Sequence, residues 1–257
     1  MALLEVRGLS KYFGGLAAVA DLDFDVNEGE IMGIIGPNGA GKSTVFNLIS
    51  GAIPATKGTL LFQGENITKL PPHKRAGRGI SRLFQGNVLF PNFTVATNVV
   101  AGLHLHTNLG LFGFLFGGPA ARRKEKKLYS KAMEILEFVG LAGEADRIAS
   151  SQPHGNQRHL CLAVALAADP KLLLLDEPVT GMNATEVAGM LDMIRTVRKE
   201  KGITCIVVEH NMKAVMGLCD RIVTISYGKK IAEGTPQEIS SNPAVIEAYL
   251  GAEQHAT

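Results

Sequence analysis

Gly36, Gly41, Lys42 and Ser43, within "GPNGAGKS", are the residues whose type and spacing most directly imply chemistry. They satisfy the pattern G-x-x-x-x-G-K-[ST]. Glycines let backbone N–H groups curl around a phosphate with no side chain in the way, and a following helix N-terminus adds partial positive charge. Pro37, Asn38, Gly39, Ala40 and Thr44 complete the cradle. Lys42 is expected to reach the β- and γ-phosphates, and the Ser43 hydroxyl to ligate Mg²⁺. The motif points to a nucleoside triphosphate site. An acid pair extends it in "KLLLLDEP". Asp176 ends an apolar run, where a P-loop enzyme places the carboxylate that orients Mg²⁺. Glu177, one residue on, could polarise a water attacking the γ-phosphate. Upstream, Gln152-Pro153-His154-Gly155-Asn156 reads as a turn opening onto a helix.

These groups need a frame. "IMGIIG" before the loop is uninterrupted apolar sequence, as expected of a strand covered on both faces. Leu172 to Leu175, Ile203 to Val208 and Ile222 to Ile225 repeat that theme. "LLEVRGLSKYF" and "LDFDV" alternate like strands, and Asn27-Glu28-Gly29-Glu30 forms a turn. Val45, Phe46, Leu48 and Ile49 mark an amphipathic helix after the loop, and Ala184 to Arg198 marks another. Strands alternating with helices predict an α/β fold: a P-loop core with a mostly parallel sheet and an N-terminal antiparallel β subdomain. The middle differs, with helix patterns and Gly-rich breaks but no buried strand. Residues 1–85 and 169–257 are assigned to core and β subdomain. Residues 86–168 are assigned to an inserted α-helical subdomain, with an insert at 104–122.

Composition narrows the classes. With a net charge of +2 over 257 residues, composition does not suggest a nucleic-acid binder. Cys161, Cys205 and Cys219 form no CxxC pair and read as reduced, buried thiols. "MALLEVRGLSKYF" has no signal-peptide character, and "LGLFGFLFGG" is well short of the roughly 20 residues that span a bilayer. A cytoplasmic protein is expected.

The order of aromatic strand, P-loop, "FQ", helical insert, turn before a helix, "LLLLDEP", "GMN" and "VVEH" resembles the ABC ATPases over nearly the whole chain. The resemblance implies that Phe13 or Tyr12 stacks on adenine and that Gln85 contacts Mg²⁺ and the attacking water. It also implies that Met182 and Asn183 lie in a loop reaching across a dimer, and that His210 sits near the γ-phosphate. The turn then aligns with the family's Leu-Ser-Gly-Gly-Gln, which caps ATP bound by the other subunit. Here Pro153 stands at the serine and Val164 at a later arginine. Proline has neither hydroxyl nor amide hydrogen, so His154, Gly155, Asn156 and the helix dipole would hold the anion.

Within that family, "SRLFQGNVLFPNFTVATNVVAGLH", the long segment after it and the final "VVEHNMKAVMGLCDRIVTISYGKKIAEGTPQEISSNPAVIEAYLG" resemble the importer subunits for branched-chain amino acids. Urea and short-amide importers look similar. Lipopolysaccharide-export ATPases do too, but usually lack the insert. The implied partners are transmembrane permease subunits, a second ATP-binding subunit and, indirectly, a periplasmic solute-binding protein, with no nucleic acid. The implied place is the inner face of the cell membrane. Leu109 to Phe116 and the basic Arg122, Arg123, Lys124, Lys126 and Lys127 could face a membrane partner or acidic lipid. The favoured reading is a loop packed on the helical subdomain and a solvated helix start. A non-transport ABC ATPase would carry a long coiled coil or a second P-loop, and neither is present. A slow regulatory nucleotide-binding module has only Pro153 and Val164 in its favour.

Overall fold

The computed structural model describes residues 2–84, 86, 88–103 and 119–254. The strands are β1 (Ala2–Phe13), β2 (Leu16–Asn27), β3 (Ile31–Ile35), β4 (Lys57–Phe62), β5 (Glu65–Asn66), β6 (Ile80–Leu83), β7 (Leu172–Asp176), β8 (Thr204–Val208), β9 (Arg221–Ser226) and β10 (Lys229–Gly234). The helices are α1 (Lys42–Ser50), α2 (Pro72–Ala76), α3 (Val95–Leu103), α4 (Pro119–Phe138), α5 (His154–Ala167), α6 (Ala184–Lys201), α7 (Met212–Leu218), α8 (Pro236–Ser240) and α9 (Pro243–Gln254).

Six strands form one sheet in the order β10-β9-β3-β8-β7-β6, parallel except for the β9–β10 hairpin. Alternation along each central strand explains why the runs are wholly apolar. Ile31, Ile35, Leu173, Leu175, Cys205 and Val207 face a helical layer built from α3 to α9. Met32, Ile34, Leu172, Leu174, Ile206 and Val208 face α1 and a second sheet. That second sheet, β2-β1-β4-β5, is antiparallel. With both faces covered, apolar residues dominate the strands, and the buried Thr224 hydroxyl of β9, which has no hydrogen-bond partner among the described residues, is an exception. The α/β P-loop architecture expected from the sequence is present.

The helical layer beyond β6 rests on α3, α4 and α5, through Val95, Val99, Leu136, Leu160 and Leu162 among others. A Cβ on Gly102 would stand 2.8 Å from the Val164 carbonyl oxygen, so only glycine allows α3 this close to α5. The three cysteines are buried and none is in a disulfide. Burial pushes the Cys205 thiol up to about 12.

Several elements have no clear signal in the sequence. Strand β6, "ISRL", carries Ser81 and Arg82 and among the described residues pairs only with β7, so it lacks the long apolar run of an inner strand. Strands β5 and β10 likewise carry no distinct apolar pattern. Most of the 104–122 insert, including "LGLFGFLFGG", lies outside the described residues.

Arg75 of α2 is 2% exposed, and its guanidinium donates to four carbonyls. Two of them, Leu48 and Ile49 at 2.6 and 2.8 Å, belong to the last turn of α1, where helix carbonyls lack partners and the dipole is negative. The others are Thr68 and Leu70. Arg75→Met should therefore lower stability by about 2–4 kcal/mol, read as an earlier midpoint in guanidinium unfolding, because four carbonyls lose a guanidinium donor and, among the described residues, only that of Leu48 keeps another, the Gly51 N–H.

Candidate functional site

A sheet closed on both faces can offer polar groups only at its ends. The carboxyl ends of β3, β7, β8 and β9 lie side by side, with Ile34 paired to Val208 and Asp176 to Val208. Beyond β3 the chain turns through Gly36 to Gly41 into α1. Gly36 has φ 153°, and a Cβ there would lie 2.0 Å from the Ile225 carbonyl oxygen. Gly41 has φ 105°, and its Cβ would lie 2.4 Å from the Ala18 oxygen. Both positions exclude every other residue. Gly41 also caps α1 with no side chain accepting from the helix, so the first-turn N–H groups remain available to an anion.

Lys42 is 6% exposed and donates to the carbonyls of Gly36 and Pro37 at 2.6 and 2.9 Å. Burial lowers its pKa, opposed by the negative charge of Glu177. Burial pushes the pKa of the Tyr249 phenol of α9 up, opposed in part by the backbone of Gly36.

Above this loop opens a cleft of about 530 Å³ lined by Asn38 to Thr44, Leu16 to Ala18, Glu177, His210 and Tyr227. That volume suits a nucleotide-sized ligand. Lys42 and Ser43 therefore share one cavity with the two groups expected to act on the γ-phosphate. His210 Nε2 lies 2.6 Å from Glu177 Oε1, while the Thr180 hydroxyl donates to Glu177 Oε2 at 3.1 Å. Glu177 has φ 49°, a left-handed conformation uncommon for a non-glycine residue and concentrated at functional sites. Its N–H donates to the Val208 carbonyl at 2.8 Å, which ties the end of β7 to the end of β8.

Asp176 is 6% exposed and paired at 2.6 Å with Arg82 of β6. Arg82 also donates to Asn47 Oδ1 at 2.7 Å and lies over the rings of Phe46 and Phe84. No cluster of three or more acidic, His or Cys side chains among the described residues could hold a metal alone. The donor set suits Mg²⁺ arriving with a triphosphate, since Mg²⁺ favours few protein oxygens plus phosphates and water. Ser43 and Asp176 are the described residues that would serve it.

Tyr12 and Phe13 end β1 and are exposed, with Lys11 Nζ 5.0 Å from the Phe13 ring centre. The cleft wall itself is Leu16 to Ala18, just after them. Gln85 lies outside the described residues. Pro153 takes the N-cap of α5, one step before the first helical residue, and no side chain caps that helix. A Cβ on Gly181 would approach the His154 ring to 3.2 Å, and one on Gly155 would come within 2.8 Å of Glu186 Oε1. The turn is thereby packed on the loop that follows Glu177. Asn183 caps α6, accepting from Thr185 and Glu186 at 3.0 Å each. Arg82, Glu209 and Tyr227 have no motif that marks them in the sequence. Of these, only the position of Glu209 between an apolar strand and His210 was a usable signal.

The family model described as "ABC transporter" matches residues 19–180, which include the P-loop, the 152–156 turn and both strand-end acids. The chain belongs to the ABC transporter family. A second model, "Branched-chain amino acid ATP-binding cassette transporter", matches residues 229–255 of this cassette. The cassette is 42% identical over 249 residues to the high-affinity branched-chain amino acid transport ATP-binding protein BraF of Pseudomonas aeruginosa, covering 97% of this chain and 98% of BraF. The lipopolysaccharide export system ATP-binding protein LptB of Haemophilus influenzae is 34% identical, with 98% of each chain covered. The ADP conformation of MJ1267, an ATP-binding cassette of an ABC transporter, superposes with a TM-score of 0.86 at 31% identity, covering 98% of this chain and 99% of that one.

The buried Arg82–Asp176 pair makes a prediction about the cassette. Arg82→Met leaves a carboxylate at low exposure without its cation, and should destabilise the nucleotide-free protein by about 3–5 kcal/mol in urea unfolding. The double change Arg82→Met/Asp176→Leu should recover most of that loss.

Proposed function

We propose that this chain is the ATP-hydrolysing subunit of a membrane importer for branched-chain amino acids. The observation that carries the chemistry is the Glu177–His210 pair facing Lys42 and Ser43 across one cleft. The identity to BraF and the match of residues 229–255 to a branched-chain amino acid cassette support the solute class. The lower identity to LptB makes lipopolysaccharide export the weaker reading.

In this reading the N–H groups of the 36–44 loop and the α1 N-terminus hold the phosphates, and Lys42 reaches the β- and γ-oxygens. Ser43, Asp176 and Gln85 would hold Mg²⁺, which would supply charge neutralisation on the phosphates. Glu177 accepts a proton from the attacking water, and His210 holds that carboxylate and meets the γ-phosphate. Tyr12 or Phe13 stacks on the base. The Pro153–Asn156 turn grips the ATP of a second ATP-binding subunit through the N–H groups of Gly155 and Asn156, the His154 ring and the α5 dipole. Met182 and Asn183 sit in the loop expected at that dimer contact.

The same reading divides the chain into a core with its β subdomain, 1–85 and 169–257, and a helical subdomain, 86–168. No described helix is long and apolar enough to cross a membrane. We place the chain on the inner membrane face, held there by permease subunits that receive solute from a periplasmic binding protein.

Copurification with permease subunits, then reconstitution in liposomes with leucine, isoleucine or valine and a binding protein, tests the assignment. Solute-stimulated ATP hydrolysis is the expected result, and stimulation by a different solute class would overturn it. Within that complex Glu177→Gln should slow turnover by about 10²-fold or more while ATP still binds and an ATP-bound dimer accumulates. Unchanged turnover would remove Glu177 from the role of base.

A further inference from the structure

Glu209 has no part in the chemistry described above, yet it is 3% exposed and makes no ion pair among the described residues. Its two oxygens face two different loops. Oε1 accepts the N–H of Val179 at 2.9 Å, in the loop that leaves Glu177. Oε2 accepts the N–H of His210 at 3.1 Å, with the Asn211 N–H at 3.5 Å. We infer that Glu209 is a positioning residue that fastens the Glu177 loop to the His210 loop and so sets the distance between those two side chains.

The geometry leaves few other roles for it. The carboxylate lies behind the cleft wall and does not line the cavity, so it does not touch a ligand there. A buried carboxylate without a cation is tolerated only where N–H groups solvate it, and here the donors are main-chain amides beside the two site residues. The β7–β8 ladder extends by one more bond, Glu177 N–H to Val208 O, and Glu209 continues the tie beyond the last strand pair. The Glu177–His210 contact of 2.6 Å thus hangs from two loops that the Glu209 side chain helps to join. Asn211 then caps α7, accepting from Ala214 at 3.1 Å, which fixes the far side of the His210 loop.

A glutamine of the same shape can accept at only one of its two terminal atoms, so it can serve one loop and must present a donor to the other. An aspartate keeps both oxygens on a shorter stem. It can accept from the next two amides in an Asx-type turn but does not reach Val179. The inference concerns positions in the chain and rests on the proposed ATPase role only for its kinetic consequence.

The test is amide hydrogen exchange on the full chain, followed by kinetics in the assembled complex. Glu209→Gln should raise exchange by about tenfold in a peptide covering 177–182, in one covering 208–212, or in both, with the 36–44 loop unchanged. Glu209→Asp should raise it at 177–182 alone. In the complex, Glu209→Gln should lower kcat by about tenfold with KM for ATP within about threefold, and should cost less than about threefold on a His210→Ala background. Unchanged exchange at both loops overturns the inference. So does a uniform rise that includes the 36–44 loop, or a loss that is fully additive with His210→Ala. A complex with no ATPase activity would defeat the proposed function and leave the exchange result to decide the role of Glu209.

Discussion

Burial of the parallel sheet on both faces is the constraint from which the rest of the structure follows. Hydrocarbon above and below β3, β7 and β8 leaves no place along those strands for a group that needs water or an anion. Polar chemistry is displaced to the strand ends, and because the strands are parallel those ends share one edge. The phosphate loop, the acid pair and the histidine come from positions 36, 176, 177 and 210, yet they meet along that edge.

Charged groups at this edge are still largely enclosed, and the protein satisfies each in a different way. Lys42 folds back onto the carbonyls of its own loop. Asp176 has a guanidinium that is itself held by an amide and two aromatic faces. Glu209 is solvated by amides, which only partly offset the upward push of burial on its pKa, while the nearby charge of Glu177 adds to that push. Glu177 adopts a left-handed backbone that turns it from the strand direction toward the histidine. These arrangements cost free energy, and the packed layers beneath the edge supply it.

How much of this was legible in the chain depended on whether a residue's role lies in its neighbours in sequence or in space. The phosphate loop reads directly, because strand, glycines and helix are contiguous. The acid pair reads because it ends an apolar run. Strand β6 does not, because an edge strand need bury only part of its surface and can carry Ser81 and Arg82. Arg82 meets Asp176 across 94 positions of sequence, so no local pattern could reveal it. Gly155 looks like an ordinary turn glycine, although its lack of a side chain answers to Glu186, which is remote in sequence. Pro153 removes an amide hydrogen from the turn, yet it stands at the N-cap position and leaves the first-turn amides beyond it intact.

The packing of His154 on Gly181, and of Gly155 on Glu186, makes the 153–156 turn and the 177–186 segment parts of one body. A ligand that grips the turn from outside therefore cannot be felt by the turn alone. Whatever free energy it spends in preferring one placement of that body is imposed, in equal amount, on the acids at the strand ends, and the reverse holds for any ligand bound there. Two such chains set head to tail would form a closed loop of mutual influence, in which neither site has an affinity of its own.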